Sequence, residues 1–321
     1  MIYQAPLDEM RIYLRSIIEA NTNEKGKNWL AGQEEKLELD SSERALYMAF
    51  GAAPRFVGKE KLVLTQEQLK KAATLRKGFD PNGWTVDQAA RTWIVLSLSY
   101  EEKSTYLATL DKLFETGDVR EQAALYAALP LLPQPEWHVK RAAEGVRTNM
   151  TVVLDAVALN NPFPADYFDD LAWNQLVLKS IFTERPVYKI YHADERGNIE
   201  LSKILLNYAH ERWAASRAVT PELWRFCGKY MSKEILADLE KVLENGSEIE
   251  KKAVILTSKD SHRPEAALLA LKEKKLAKEL EESGYTWDDL GRELEASKAG
   301  LGDGAYQQAG SGFAQTTLPK K

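Results

Sequence analysis

Apolar residues recur at helical spacing along nearly the whole chain, and this periodicity constrains the fold more than any other feature. In LDEMRIYLRSIIEA (7–20), for example, apolar side chains recur every three or four residues and therefore share one face of a helix. Only LVLT (62–65) and VYKIY (187–191) have the composition of short strands, and no Asn-Gly or Asp-Gly turn is flanked by alternating apolar runs. The sequence therefore predicts an all-α fold with no significant β-sheet.

Several helix starts can be located from residues that favour N-cap positions. Thr65, followed by Glu67 and Gln68, indicates one such start. Thr85 follows a Pro-Asn-Gly turn and precedes Gln88 by three residues, which is the pattern of a capping box. We therefore expect separate helices to begin at these two threonines.

The helices are joined by short loops, which favours helix pairs stacked in an array. No strict period relates the segments, so we predict an irregular α-α superhelix, a helical-repeat array of the HEAT/ARM kind, ahead of a compact bundle. We divide the chain into N-terminal helices (1–60), a central helical array (61–230), charged C-terminal helices rich in Glu and Lys (231–298), and a tail (299–321). The tail is rich in Gly, Ala, Gln and Ser without periodicity, which predicts disorder.

Composition excludes several classes of protein. The net charge of −5 and the lack of a long basic run argue against a nucleic-acid partner. Cys227 is the one cysteine, so an internal disulfide, a zinc ribbon and a CxxC redox motif are excluded. No apolar run is long enough for a membrane span, and the N-terminus lacks the basic start of a signal peptide. We expect a cytoplasmic protein.

No complete catalytic motif is present in the sequence. His210-Glu211 does not continue as HExxH, and GxSxG, P-loop and GxGxxG patterns are missing outside the low-complexity tail. The histidines, at positions 138, 192, 210 and 262, lie far apart in sequence and form no local ligand set. We therefore predict no metal and no cofactor.

The segment RAAEGVRTNMTVVLDAVALNNPFP (141–164) places Asp155 among apolar residues. An isolated carboxylate in apolar surroundings is costly and requires a proton or a cationic partner. Arg147 is the first candidate for that partner and Lys179 the second. If Gly145 does not break the helix, an apolar stripe would run continuously from residue 143 to residue 157.

Two later helices also carry polar residues within an apolar frame. Asn174, Gln175 and Lys179 interrupt one of them, and Asn207, His210 and Glu211 share one face of the next. If the three polar clusters face one another, they would form a buried polar network or line a ligand groove. The alternative is structural, with the same side chains forming inter-helix hydrogen bonds that fix the helix register.

Several long motifs resemble, in the same order, those of the EboA family, whose members are called metabolite traffic proteins. They are GWTVDQAARTWIVLSL, DVREQAALYAALPLLPQPE, RAAEGVRTNM, ALNNPFPADYFDDLAWNQLVLKSIF and YAHERWAASRAVTPELWR. The resemblance covers roughly residues 40–230, whereas the first 40 residues and those past 230 do not contribute. The positions that match family motifs include Arg147, Asn149, Asn161, Asn174, Gln175, His210, Glu211 and Arg212.

The resemblance implies a pathway context and no particular reaction. It implies a bacterial or algal protein encoded with companion genes that serve transport or assembly of secondary-metabolite precursors, such as those of the sunscreen scytonemin. The companions resemble a prenyltransferase, a TatD-like hydrolase, a sugar-phosphate isomerase and a dehydroquinate synthase. Partners would be proteins of that pathway or a small apolar or aromatic precursor.

We therefore expect a non-catalytic binding or adaptor protein that uses a groove of the helical array. Residues of the three clusters, together with Asn149, Asn161 and Arg212, are the candidates for binding. One alternative is an enzyme of the same pathway in which His210, Glu211 and Asp155 act as acid and base groups. Another is a purely structural interaction protein in which all the clusters join helices.

Overall fold

The prediction of an all-α chain is confirmed by the computed structural model, which describes residues 4–39 and 42–299. Among these residues the β-structure is limited to one isolated antiparallel bridge between Lys61 and Thr85. The strand candidate at 187–191 instead contains a short 3₁₀ helix. In the same part of the chain, no helix is both long and apolar enough to cross a membrane. Most of the tail expected to be disordered (299–321) lies outside the described residues.

The helices occur in the following order: α1 (Leu7–Ala20), α2 (Glu24–Leu39), α3 (Glu43–Phe56), α4 (Gln66–Leu75), α5 (Val86–Val95), α6 (Lys103–Thr116), α7 (Val119–Ala128), α8 (Val139–Arg147), α9 (Thr151–Ala158), α10 (Phe163–Tyr167), α11 (Asp170–Phe182), α12 (Ile199–Ala214), α13 (Lys233–Asn245), α14 (Glu248–Lys259), α15 (Pro264–Ala270), α16 (Lys274–Glu282) and α17 (Trp287–Ala299). Short 3₁₀ helices lie at Leu129–Leu131, Pro135–His138, Val187–Lys189, Pro221–Phe226, Gly228–Tyr230 and Leu271–Glu273.

The chain divides into two units, Met1–Asp169 and Asp170–Lys321. In the first unit, α3 packs on α5, α5 on α7 and α7 on α9, so alternate helices stack on one another. Helix α5 lies at the centre of this stack, and Trp93 and Ile94 are fully enclosed there. Stacking of alternate helices is a feature of helical-repeat arrays. The superhelix and the domain boundaries derived from the sequence remain predictions.

The two expected helix starts differ in their capping. Thr65 forms a capping box with Gln68 at the start of α4. The capping box predicted at Thr85 is wrong, because the Thr85 hydroxyl donates to Asp87 Oδ1 at 2.6 Å and does not cap α5. The other oxygen of Asp87 accepts from Arg91 Nη1 at 2.6 Å, and both charged side chains are buried. Asp87 therefore forms a buried ion pair with Arg91, and the Thr85 side chain does not serve as an N-cap.

The segment 141–164 forms two helices, so the expected continuous apolar stripe is wrong. Helix α8 ends at Arg147 and α9 begins at Thr151. The break follows from Thr148, whose backbone is extended and whose hydroxyl accepts from the Met150 N–H at 3.1 Å. Gly145 does not break the helix; it lies buried within α8.

In the second unit, α14 lies centrally and contacts α13, α15, α17 and the 3₁₀ helix at Pro221–Phe226. Helices α11 and α12 pack side by side and run in the same direction. Asn174 near the start of α11 bonds Asn198 just before α12, while Phe182 at the end of α11 lies 6.4 Å from the ring of Tyr208 further along α12. A helical hairpin would instead place its two helices antiparallel. The parallel packing of α11 and α12 therefore differs from the antiparallel helix pairs of a simple helical repeat.

Candidate functional site

Two of the predicted binding residues are buried amides whose hydrogen-bonding groups are engaged by the chain itself. Asn161 Nδ2 donates to the carbonyls of Tyr126 (3.2 Å) and Ala156 (2.8 Å), and its Oδ1 accepts from the Phe163 N–H at 3.0 Å. These bonds connect the end of α9 with α7 and with the start of α10. The Asn161 side chain therefore satisfies backbone groups that burial has removed from water.

Asn174 has a comparable role between α11 and α12. Its Nδ2 donates to Asn198 Oδ1 at 3.3 Å, and Asn198 Nδ2 donates back to Asn174 Oδ1 at 2.8 Å. Asn198 also accepts from the Leu201 N–H at 2.9 Å and thereby caps α12. The pair fixes the register of the two helices. Asn198 was not identified from the sequence, although Asn directly before a helix is a common N-cap.

The cluster expected around Asp155 is spread over the break between α8 and α9. Asp155 is half-buried on α9, whereas Arg147 and Asn149 are exposed. The pairing of Asp155 with Arg147, the first candidate for its cationic partner, stays a prediction. Lys179, the second candidate, lies half-buried on α11 of the other unit.

Gln175, Asn207 and Glu211 are exposed, so they do not belong to a buried polar network; the alternative, that they line a ligand groove, stays a prediction. Their side chains form no hydrogen bond or ion pair with any residue that the structure describes. Gln175 shares one face of α11 with Leu171 and Phe182, whose side chains are 70% and 62% exposed. We name Leu171, Gln175 and Phe182 the α11 outer face.

His210 combines partial exposure with a buried charged partner. Its Nε2 lies 2.5 Å from Oδ2 of Asp238 on α13, and Asp238 Oδ1 accepts from Lys241 Nζ at 2.9 Å. Asp238 is only 3% exposed, whereas the His210 side chain is 37% exposed. The second ring nitrogen, Nδ1, lies 4.0 Å from Oε1 of Glu234. The rings of His210 and Trp213 are 6.0 Å apart.

Glu211 does not join the pair of His210 and Asp238, because it is exposed and its side chain forms no hydrogen bond or ion pair with a described residue. The partner of His210 is instead Asp238, which lies in the segment that was described from the sequence only as charged helices rich in Glu and Lys. The spacing in the sequence could have identified Asp238 as buried, because it falls within the apolar stripe formed by Ile235, Leu239 and Val242. Arg212 lies nearby and donates from Nε to the Ala218 carbonyl at 2.9 Å, which closes the end of α12.

Another buried polar group, also missed from the sequence, stabilises the loop before α12. Glu222 accepts from the backbone N–H groups of Val187 (3.3 Å) and Tyr188 (2.9 Å), and burial raises the pKa of its carboxyl group. Arg225 donates to both carboxylate oxygens of Asp194, at 2.5 and 2.7 Å. These contacts secure the 3₁₀ segments on either side of α12.

Two kinds of chemistry have little support in the described part of the chain. Cys227 is fully buried, and burial raises the pKa of its thiol to about 12, so the thiolate that a cysteine nucleophile requires is disfavoured. Among residues 4–39 and 42–299, no group of three or more His, Cys, Asp and Glu side chains has a metal-binding arrangement.

A family model described as "Metabolite traffic protein EboA" matches residues 10–228. The match begins at residue 10, within α1, and so covers most of the first 40 residues, which the resemblance had left out. It contains His210 and the α11 outer face but ends before Asp238. No curated protein and no solved structure matches the chain.

Proposed function

The chain belongs to the EboA family of metabolite traffic proteins, and on that premise we propose that it is a non-catalytic binding component of such a system. Its partner is another protein of the same system, which docks on the α11 outer face. The small precursor that the system carries would then pass from one protein to the other within the assembly.

Exposure of two large apolar side chains on one helix face is the observation that supports this proposal. Leu171 and Phe182 are 70% and 62% exposed, and they lie on the same side of α11 as Gln175. Single exposed apolar residues are ordinary, but a patch with a polar rim is typical of a protein interface. Phe182 also contacts Tyr208 of α12, which restricts its motion before a partner arrives.

The polar residues around the patch favour a protein partner. Gln175 on α11 and Asn207 and Glu211 on α12 are exposed, and no described residue satisfies their side chains. Such groups can exchange water for a partner's hydrogen bonds at the rim of an interface, where the cost of desolvation is small. Asn174 stabilises the same surface, because its hydrogen bonds with Asn198 hold α11 against α12.

The enzyme alternative has one supporting observation, which is the pairing of His210 with Asp238. A buried carboxylate that holds one imidazole nitrogen leaves the other available as a base. Glu211 does not contribute to that pair, and a joint role with Asp155 remains a prediction. Turnover of a pathway precursor by the purified chain, lost in His210→Gln, would favour the enzyme.

Site-specific photocrosslinking tests the docking proposal. A benzophenone amino acid at position 175, in a host that carries the companion genes, should give one dominant adduct with a companion protein. The same group at position 268 is the matched control, because Leu268 is a 64% exposed apolar residue on α15. The same adducts from both positions would contradict the proposal.

The identified partner should then be purified and its affinity for the chain measured. Loss of a buried apolar anchor typically costs about 1–2 kcal/mol, so Phe182→Ser should weaken binding roughly tenfold or more. Leu268→Ser removes a similarly exposed apolar residue elsewhere and should leave the affinity unchanged. Equal affinities of the two variants would refute the assignment of the α11 outer face.

A further inference from the structure

We propose that His210 and Glu234, beside Trp213, form a surface site on the second unit for a ligand that carries a protonated amine. The inference rests on the proposed binding function, since it treats His210 as a ligand-binding residue. The site would bind a small amine and is distinct from the α11 outer face.

The orientation of the imidazole provides the first hydrogen-bond acceptor. Nε2 lies 2.5 Å from the buried carboxylate of Asp238, and an ionised carboxylate only accepts hydrogen bonds, so we assign the proton to Nε2. Neutral imidazole then has its lone pair on Nδ1, and in the described part of the chain no donor hydrogen-bonds to that atom. Because 37% of the His210 side chain is exposed, a ligand can reach it.

Glu234 provides the second acceptor at a suitable spacing. Its Oε1 lies 4.0 Å from Nδ1, which is too long for a direct hydrogen bond. A single nitrogen located about 2.8–3.0 Å from each of these atoms can donate to both. An ammonium group has three donors and no acceptor, so it matches a pair of acceptors.

Charge selects a cation over a neutral donor. The carboxylate of Asp238 is buried and already paired with Lys241 Nζ at 2.9 Å. Glu234 has no ion pair with a lysine or arginine among the residues that the structure describes, so its negative charge faces the ligand side. An anion would be repelled there, whereas a protonated amine gains a charge-assisted hydrogen bond.

Trp213 favours an amine with an apolar body. Its ring lies 6.0 Å from that of His210 and 5.9 Å from that of the buried Trp224. Trp213 is half-buried and its ring lies beside that of His210, so the indole adds apolar surface next to the imidazole. Glu234 and Asp238 lie beyond the residues matched by the family model, so this site depends on the segment that follows the shared region.

A titration followed by proton NMR tests the inference on the full chain. The chain has four histidines, so the ring C–H signals of His210 can be assigned from their loss in His210→Gln. Phenethylamine should shift these signals saturably at millimolar concentration. 2-Phenylethanol, which has the same ring and no charge, should cause no saturable shift. An equal response to both probes, or none to either, would overturn the proposal.

A matched pair of variants separates the role of Glu234 from that of general surface charge. Glu234→Gln keeps the shape and removes the charge, and it should weaken phenethylamine binding roughly tenfold. Glu244→Gln removes another exposed carboxylate of α13 and should leave the affinity unchanged. Equal affinities would refute the site.

A second variant tests the orientation of the imidazole independently of the Glu234 charge. Asp238→Asn should weaken phenethylamine binding while the remaining histidine signals report an intact fold. Unchanged binding in this variant would exclude the proposed role of Asp238. Crosslinking from position 175 should persist in Glu234→Gln, so failure of this site and failure of the docking proposal are distinguishable.

Discussion

Replacement of Gly145 by alanine tests how closely α7, α8 and α9 pack in the first unit. A Cβ at position 145 would lie 2.5 Å from Cε1 of Tyr126 and 2.8 Å from Cγ2 of Val157. Carbon atoms in favourable contact are about 3.5–4.0 Å apart, so both neighbours would have to move. Tyr126 is 6% exposed and Val157 fully buried, which leaves them little room.

Two opposing effects determine the size of the change. Alanine in a helix interior is favoured over glycine by about 1 kcal/mol, whereas overpacking of a well-packed core costs about 1–3 kcal/mol. We therefore expect Gly145→Ala to lower the free energy of unfolding by up to about 2 kcal/mol. Gly32→Ala is the matched control, because Gly32 lies within α2 and its Cβ would have no neighbour within 4 Å. This variant should gain about 0.5–1 kcal/mol.

Urea denaturation followed by far-UV circular dichroism measures both variants against the parent chain. The two variants should change stability in opposite directions, with a lower urea midpoint for Gly145→Ala and a higher urea midpoint for Gly32→Ala. A Gly145→Ala variant as stable as Gly32→Ala would refute the close packing of these helices.

Three further predictions concern stability. Asn161→Ala removes both donors and the acceptor of a buried amide, so the free energy of unfolding should fall by about 2–3 kcal/mol. Gln175→Ala, at an exposed position, is the control and should change it by less than about 0.5 kcal/mol in the same urea assay. Burial lowers the pKa of His138 to about 4, so between pH 6.5 and pH 4 the unfolded chain binds a proton at this histidine that the folded chain does not bind. The free energy of unfolding should therefore fall by up to about 3 kcal/mol as the pH falls over that interval. His138→Gln should lack this part of the pH dependence. Gly291→Ala would place a Cβ against the ring of Tyr188, so the thermal midpoint should fall and proteolysis near α17 should accelerate; unchanged proteolysis would contradict the packing of α17 there.

The polar clusters show which parts of a site a sequence can reveal. Asn161 was identified only because it matches a motif of the resembled family. Asn174 and His210 were identified because a polar residue within an apolar helix is visible as an exception to the periodicity. Their partners were not identified, since Asn198 and Asp238 lie 24 and 28 residues away along the chain. The spacing of Asp238 places it in the buried stripe of α13, but that segment was characterised from the sequence only by its abundance of Glu and Lys.

The sequence by itself determined the all-α class, the start of α4 at Thr65 and the family, because helical periodicity, capping and motif order are local properties of the chain. Only the tertiary structure decided that α8 and α9 are separate helices, that α11 and α12 run in the same direction, and that Gln175 and Glu211 face solvent. It also decided that His210 pairs with Asp238 and that Glu211 does not take part. The physical reason is that periodicity fixes which residues share a helix face, whereas the neighbour that covers this face depends on distant segments.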